Sequence, residues 1–198
     1  MRIGFCGLKG SGKSTAAKML SEEIGSKIIS FAGPLKRGTA ILYDVDEIDK
    51  EKFYNLKKMP SWYTIDVAAG AYGLNSDDVK NILVKRLFGR GLSGRQILQE
   101  VGTECVRDNI SRTHWIDLAL NKDNVIIDDV RFLNESDAIR SAGGFIIGIR
   151  RPGIESDGHA SEQELCDNWS EIIDAEVVND ASLEELKKRV LDAIGNKR

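Results

Sequence analysis

The sequence predicts a three-layer α/β/α fold, in which helices cover both faces of a parallel sheet. Short apolar segments alternate with amphipathic ones along most of the 198 residues, and this alternation is typical of parallel strands joined by right-handed crossovers. A glycine-rich turn between the first strand and the first helix supports it, as does a later apolar strand that ends in two carboxylates. Ligands of such sheets bind at the carboxyl ends of the strands.

The N-terminal elements open the predicted sheet. Residues 2–6 are a short buried strand, and the helix from Ser14 to Ile24 carries an apolar stripe that stops at Gly25. Lys27 to Phe31 is the second predicted strand. Gly33-Pro34 starts the next helix, because proline at the first helical position loses no N–H that the helix needs.

Residues 40–93 differ in character from the flanking sequence. They are mixed, charged and punctuated by glycine, and we interpret them as a helical insertion that binds the acceptor. A helix from about Gly94 to Asn109 follows, and then a second helix that carries Trp115.

The C-terminal part returns to alternating strands and helices. The predicted elements are a strand at 125–129, a helix capped by Asn134 and ended by Gly143-Gly144, strands at 145–149 and 176–178, and a final helix opened by the capping box Ser182-Leu183-Glu184-Glu185. Residues 151–171 are polar and irregular, and we predict that they form a lid. We expect one domain over 1–198 with a core of 1–39, 94–150 and 172–198.

Composition argues against several classes of protein. The formal net charge is −3 without a long block of one sign, whereas a nucleic-acid binder usually shows a concentrated basic patch. No apolar run approaches the roughly 18 residues of a membrane span. The three cysteines form no CxxC pair, so we expect buried thiols in a cytoplasmic protein. We expect its partners to be small molecules, and the sequence leaves a homodimer open.

The most specific motif is Gly7-Leu8-Lys9-Gly10-Ser11-Gly12-Lys13-Ser14, which satisfies G-x-x-x-x-G-K-[ST] at every fixed position. Its glycines let successive backbone N–H groups face a phosphate, and the following helix adds positive potential. Lys13 is predicted to reach the β- and γ-phosphates of ATP, and the Ser14 hydroxyl to bind Mg²⁺. The predicted donor-binding residues of this P-loop are Gly10, Ser11, Gly12, Lys13, Ser14 and Thr15.

Asp128 and Asp129 end an apolar strand, as a metal-binding acid beside a P-loop does. Since side chains alternate along a strand, we expect only one of them to face the phosphates. We favour Asp129 as the metal ligand and catalytic acid, because it begins Asp129-Val130-Arg131 at the extreme end of the strand and has a cation two residues on. Asp128 would then point to the opposite face, and capping of the next turn by both acids is the alternative.

The helix from Gly94 has two unlike sides. Ile97, Leu98, Val101 and Cys105 are on its apolar side, and an i+4 row of Arg95, Gln99, Thr103 and Arg107 is on the other, with Gly102 beside it. Arginine suits phosphate and glutamine suits a base edge, so the row can bind a phosphorylated base, although an ordinary solvated face explains the same residues.

Arg150 and Arg151 follow a predicted strand and open the segment at 151–171. Phosphoryl transfer benefits from cations that close over the developing charge, so we interpret them as catalytic lid residues, against the alternative of surface arginines. His114 and His159 are isolated, and we assign them no chemistry.

Several segments together resemble the phage-type deoxynucleoside monophosphate kinases. These segments are the P-loop, Ser30-Phe31-Ala32-Gly33-Pro34-Leu35-Lys36, Gly94-Arg95-Gln96-Ile97-Leu98-Gln99 with Gly102-Thr103-Glu104 and Arg107, Asp129-Val130-Arg131-Phe132 with Asn134-Glu135, and His159-Ala160-Ser161-Glu162. The resemblance implies a kinase-type P-loop fold that uses ATP and Mg²⁺ to convert deoxynucleoside monophosphates to diphosphates, in a host cytoplasm if the chain is phage-encoded. It implies substrate contacts from Phe31, Lys36, Arg95, Gln99, Arg107 and Arg131. Dephospho-coenzyme A kinase is the nearest alternative enzyme, and a nucleotide-gated regulatory ATPase is the alternative of another class.

Overall fold

Five parallel strands form the central sheet in the computed structural model, which describes residues 1–43, 57–58, 61–74, 77–156 and 160–195. The strands of the chain are β1 (Arg2–Cys6), β2 (Lys27–Ile29), β3 (Lys57–Lys58), β4 (Leu92–Ser93), β5 (Val125–Val130), β6 (Phe145–Arg150) and β7 (Ala175–Val178). The sheet has the order β2-β5-β1-β6-β7, whereas β3 and β4 form a separate antiparallel pair. The end of β1 therefore lies between the ends of β5 and β6.

The helices connect these strands. They are α1 (Lys13–Ile24), α2 (Gly33–Tyr43), α3 (Trp62–Ala71), α4 (Asp77–Leu87), α5 (Gly94–Gln99), α6 (His114–Leu120), α7 (Leu133–Ser141), α8 (Ala160–Asp167), α9 (Trp169–Ile172) and α10 (Leu183–Gly195), with a π-helix at Glu100–Arg107. Among the described helices, none is both long and apolar enough to cross a membrane.

The chain divides into two units. The sheet unit comprises Met1–Phe31 and Ala119–Arg198, and the helical unit comprises Ala32–Leu118. The helical unit extends on both sides beyond the insertion expected at about 40–93. The arrangement of one domain with a core, an insertion and a lid remains a prediction.

The core of the sheet unit lies between the sheet and two helices, α1 and α10. Phe5 and Ile126 from the strands pack with Leu20 of α1 and with Leu186 and Val190 of α10. Each of these side chains is almost completely buried, and burial of one such side chain is worth about 1.5–3 kcal/mol. This packing fixes α1, and with it the P-loop, against the end of β1.

The helical unit has its own core around Tyr72. The Tyr72 ring meets Trp115 edge to face with 6.3 Å between centroids, and its hydroxyl lies 3.3 Å from the hydroxyl of Thr39. Gly38 leaves the space for this ring, because a Cβ there would lie 2.1 Å from it. The helical unit therefore has a specific, well-filled interior of its own.

Several local predictions are confirmed. The helix at Gly33 begins where predicted, and the Ser182 hydroxyl accepts a hydrogen bond from the Glu185 N–H at the start of α10.

Three local predictions were wrong. The helix expected over Gly94–Asn109 is α-helical only to Gln99 and then continues as a π-helix. The segment 151–171, expected to be irregular, contains α8 and most of α9. Strand β5 continues to Val130, so Asp129 is not its last residue.

Candidate active site

The P-loop connects β1 to α1. Gly10 has φ 84° and Gly12 has φ 97°, a left-handed conformation that costs other residues about 1–2 kcal/mol. The turn is closed by a hydrogen bond from the Ser11 N–H to the Leu8 carbonyl at 3.1 Å. The helix starts at Lys13, so its first N–H groups and the positive end of its dipole lie at the loop, as an anion site requires.

Lys13 is half-buried at the start of this helix. Its ammonium donates to the Leu8 carbonyl at 3.3 Å. Burial lowers the pKa of Lys13, and the positive charge of Arg131 lowers it further, whereas Glu162, Asp128 and Asp129 act in the opposite direction. The P-loop lysine is therefore within electrostatic range of both acids of β5.

An irregularity in β5 explains why both acids can act on Lys13. Gly4 pairs with Ile127 and Cys6 pairs with Val130, so β5 has one more residue than β1 over this stretch. Ile126 packs in the core under α1 and α10. Val130 instead lies over Gly4 beside Ile139 of α7, although regular alternation would put these two residues on one face. The regular alternation on which the expectation for Asp128 depends is therefore absent from this part of β5, and the assignment of Asp128 to the opposite face stays a prediction.

Asp129 also has a structural contact. Its Oδ1 accepts a hydrogen bond from the backbone N–H of Phe31 at 2.8 Å. Phe31, expected to contact substrate, is only 3% exposed. Asp129 therefore fixes the backbone just after β2 in addition to its proximity to Lys13.

Arg131 directly follows β5, and its backbone is held by Glu135. The Glu135 Oε2 accepts from the N–H groups of Arg131 and Phe132 at 2.8 and 3.2 Å, and Glu135 is 4% exposed. Such capping satisfies N–H groups at the start of a helix that would otherwise lack partners. The glutamate of the Asp-Val-Arg-Phe-x-Asn-Glu pattern thus fixes the backbone of the half-buried Arg131.

Ser11 and Asn179 meet at the tip of the P-loop. The Asn179 amide donates from Nδ2 to the Ser11 carbonyl at 2.8 Å, and its own N–H donates to the Arg150 carbonyl at 2.7 Å. The Ser11 hydroxyl is buried, with no hydrogen-bond partner among the described residues. A buried polar group of this kind normally has a partner, so a bound phosphate is a fitting one.

A cavity of about 360 Å³ lies beside the P-loop. Leu8 and Ser11 line it together with Arg151, Ile154 and Trp169. The exposed Arg151 therefore lies on the wall of a cavity that reaches the phosphate loop.

Arg150 has different surroundings. Its guanidinium pairs with Glu176 at 3.0 Å and lies 5.3 Å from the centre of the Trp169 ring. The Trp169 indole N–H also donates to Glu176, at 2.6 Å. Arg150 also lines the cavity, but its guanidinium is held at the side of β7, so the two adjacent arginines differ in their contacts.

Comparison with known proteins shows the family of the chain. A family model described as deoxynucleotide monophosphate kinase matches residues 84–190. The chain is 34% identical to a putative deoxynucleotide monophosphate kinase of Acanthamoeba polyphaga mimivirus, over 98% of this chain and 96% of the relative. The chain belongs to the deoxynucleotide monophosphate kinase family. The predicted enzyme class, a nucleotide monophosphate kinase, is thereby confirmed, and membership indicates use of a nucleotide and a metal ion in general.

Two further comparisons support the family and the fold. The deoxynucleotide monophosphate kinase of Enterobacteria phage T4 is 26% identical over 97% of this chain and 98% of its own. A crystal structure of shikimate kinase from Aquifex aeolicus is similar in fold alone, with a TM-score of 0.51, 14% identity and coverage of 100% of this chain and 98% of the other. The predicted three-layer fold of a P-loop kinase is confirmed.

The family's arginine–glutamine helix lies in the helical unit. Gln99 and Thr103 are exposed and Arg107 is half-buried, while Ile97, Val101 and Cys105 are buried. The side chain of Arg95 lies outside the described residues. The predicted two-sided helix is therefore present where its side chains are described.

Gly102 has a packing role in the helical unit. A Cβ at this position would lie 2.7 Å from Leu35 of α2, and its carbonyl accepts from the Trp115 indole at 3.1 Å. The glycine thus allows α2, which carries the half-buried Lys36, to approach the π-helix.

The thiols and imidazoles of the described residues differ in their surroundings. Cys6 is buried, and burial raises its pKa to about 12, so it stays protonated at neutral pH. Cys166 is exposed, contrary to the expectation of buried thiols. His114 lies 2.8 Å from the Tyr72 carbonyl inside the helical unit, and His159 lies outside the described residues.

Sequence reasoning assigned no role to four side chains near the P-loop. These are Glu162, Asn179, Trp169 and Glu176. Each contacts the site from a distant part of the chain, so the signal lies in the tertiary structure.

Proposed function

We propose that the chain transfers the γ-phosphate of ATP to a deoxynucleoside monophosphate, in a reaction that requires Mg²⁺. The observation that carries the proposal is the left-handed glycine turn that leads into Lys13 with both β5 acids in electrostatic range of its ammonium. The reaction joins an acceptor phosphate oxygen to the γ-phosphorus and releases the bridging oxygen with ADP. Catalysis of such a transfer consists mainly of positioning and charge stabilisation.

The P-loop is proposed to hold the donor. The N–H groups from Gly10 to Thr15 would bind the phosphates, and Lys13 would exchange its bond to the Leu8 carbonyl for phosphate oxygens. The unpartnered Ser11 hydroxyl supports this fit. The adjoining cavity of about 360 Å³ offers space for the remainder of the donor.

The metal would be held by Ser14 and the β5 acids. Ser14 is exposed at the second position of α1, and Mg²⁺ typically needs only one or two protein ligands beside phosphates and water. When bound, Mg²⁺ supplies neutralisation of the phosphate charge. We propose Asp129 as the ligand, with Asp128 as a second acid because both act on Lys13.

The proposed acceptor contacts are considered in each unit by itself. In the sheet unit, Arg131 is held by Glu135 beside Lys13, and Phe31 is fixed by Asp129. In the helical unit, the proposed contacts are Lys36, Arg95, Gln99 and Arg107, on the strength of the family's motif. Guanidinium groups suit the acceptor phosphate, and the exposed Gln99 amide suits a base edge.

Arg150 and Arg151 are the proposed lid cations. Both arginines line the cavity next to Leu8 and Ser11, where a cation would stabilise charge on the transferring phosphate. Arg150 is paired with Glu176 and lies over the Trp169 ring. Its contribution to stabilising the transferring phosphate would depend on these two contacts.

The test is release of ADP from ATP in the presence of a panel of nucleoside monophosphates. We expect turnover that depends on a deoxynucleoside monophosphate and on Mg²⁺. Lys13→Ala should reduce it by about 10²–10³-fold, the usual effect of losing one preorganised charge contact. Lys18→Ala is the matched control, because Lys18 is exposed on the same helix and should leave turnover unchanged.

Two outcomes would contradict the proposal. Turnover with dephospho-coenzyme A but with no monophosphate would favour the alternative acceptor. ATP hydrolysis of equal rate with and without any acceptor would favour a regulatory ATPase.

A further inference from the structure

Glu162 is a buried carboxylate that contacts the P-loop from α8. It lies in the first turn of this helix and is 4% exposed. Its Oε1 accepts a hydrogen bond from the backbone N–H of Lys9 at 3.0 Å. The two residues are 153 positions apart in the chain, so the contact is a property of the fold.

Burial of this carboxylate requires compensation. A charged group removed from water is costly unless it is hydrogen-bonded or paired, and hydrogen bonds to charged groups are among the stronger ones in proteins. Glu162 obtains such a bond from the second variable residue of the phosphate loop, and it also acts electrostatically on Lys13. The carboxylate is thus placed at the loop itself rather than at the surface of the sheet unit.

The bond fixes the orientation of one peptide group in the loop. The next fixed peptide is that of Ser11, whose carbonyl accepts from Asn179 in the loop after β7. Between them lies Gly10, whose left-handed φ of 84° reverses the direction of the chain. Two peptides on either side of this glycine are therefore held by side chains from two other elements.

The helix that carries Glu162 is itself well anchored. Leu165 of α8 is 1% exposed, and Cys166 of the same helix lines the cavity beside Leu8. Glu164, two residues further along α8, is exposed. Glu162 is therefore aimed at the loop by a packed helix, while its neighbour in sequence offers a matched comparison.

We propose that Glu162 is a positioning residue for phosphate-donor binding, which holds the Lys9 peptide so that the P-loop N–H groups keep the orientation that the donor phosphates need. This inference rests on the proposed function of the P-loop. Glu162 acts through the loop backbone, not on the reacting atoms.

The test combines amide hydrogen exchange of the Lys9–Gly12 segment with binding of ADP by calorimetry, in the absence of an acceptor. We expect Glu162→Ala to speed exchange of the Lys9 amide by on the order of tenfold, because it loses a bond to a charged acceptor. ADP affinity should fall by a similar factor. Glu162→Gln keeps a neutral acceptor and should lie between Glu162→Ala and the wild type in both measurements. Glu164→Ala should match the wild type.

The outcomes separate this inference from the proposed function. A folded Glu162→Ala variant whose Lys9 exchange and ADP affinity equal those of Glu164→Ala would overturn the positioning role. If Glu162→Ala does not fold, Glu162→Gln decides, and a variant of wild-type melting temperature with wild-type exchange and affinity would overturn it equally. Failure of the proposed function would appear differently, as a wild-type protein without monophosphate-dependent turnover.

Discussion

Gly12→Ala tests the geometry of the P-loop most directly. Gly12 has φ 97°, which costs alanine about 1–2 kcal/mol. The new Cβ would lie 2.4 Å from the Asn179 Nδ2, so Asn179 must move and release the Ser11 carbonyl, a bond worth roughly 0.5–1.5 kcal/mol. We expect a total loss of about 2–3 kcal/mol in the free energy of unfolding, or roughly 4–12 °C in Tm for a chain of this size.

A double-mutant cycle isolates the contact with Asn179. Gly12→Ala and Asn179→Ala each lose the bond to Ser11, but the double variant loses it once. The double variant should therefore be more stable than the sum of the single effects predicts, by roughly 1 kcal/mol. Gly10→Ala is the matched control for the backbone cost, because its φ is also left-handed but its Cβ would meet nothing closer than Ile154 at 3.5 Å.

The assay is thermal and chemical unfolding of the four proteins of the cycle, together with kcat/KM for ATP. Distant, independent sites add within about 0.3–0.5 kcal/mol. If the effects of Gly12→Ala and Asn179→Ala add within that margin, the two side chains do not compete for the same space, and the described arrangement of the loop is refuted.

Three other variants test separate parts of the site. Arg107→Ala should weaken monophosphate binding by roughly 10–100-fold, the loss of a charged contact, with ATP affinity unchanged by calorimetry; normal monophosphate binding would contradict the acceptor assignment. Arg151→Ala should lower kcat at constant Tm, whereas Arg150→Ala should lower Tm by roughly 2–4 °C, since its ion pair and ring contact are together worth about 1 kcal/mol. The reverse pattern would exchange their roles. Asp129→Ala should lower both rate and Tm, because it leaves the Phe31 N–H without its carboxylate acceptor at about 1–3 kcal/mol; a wild-type Tm would contradict the structural role.

Local patterns in the sequence were sufficient for much of the fold. The P-loop, the helix start at Gly33 and the cap at Ser182 each depend on residues within one turn of each other, so their physics is contained in a short segment. The alternation of strands and helices then limits the topology to a parallel sheet.

The errors arose where a regular period was assumed. The π-helix at Glu100–Arg107 preserves an apolar side and a polar side, so the spacing of Val101 and Cys105 does not reveal the change in hydrogen bonding. In β5 the extra residue shifts the face of Val130, and no side chain in the apolar run marks that position. Periodicity reports which residues are buried, but it does not report how neighbouring backbones are paired.

The irregularity in β5 bears on the roles of Asp128 and Asp129. A regular strand would bring one carboxylate to the P-loop and turn the other to the opposite face, whereas the extra residue lets Asp128 and Asp129 both act on Lys13. Asp129 is bonded to the backbone through the N–H of Phe31, the last residue of the first segment of the sheet unit. Asp128 adds a second negative charge near the lysine. The local change in strand pairing thus supplies the negative charge that a phosphate site with a bound metal needs. It also fixes the backbone where the chain leaves the sheet unit.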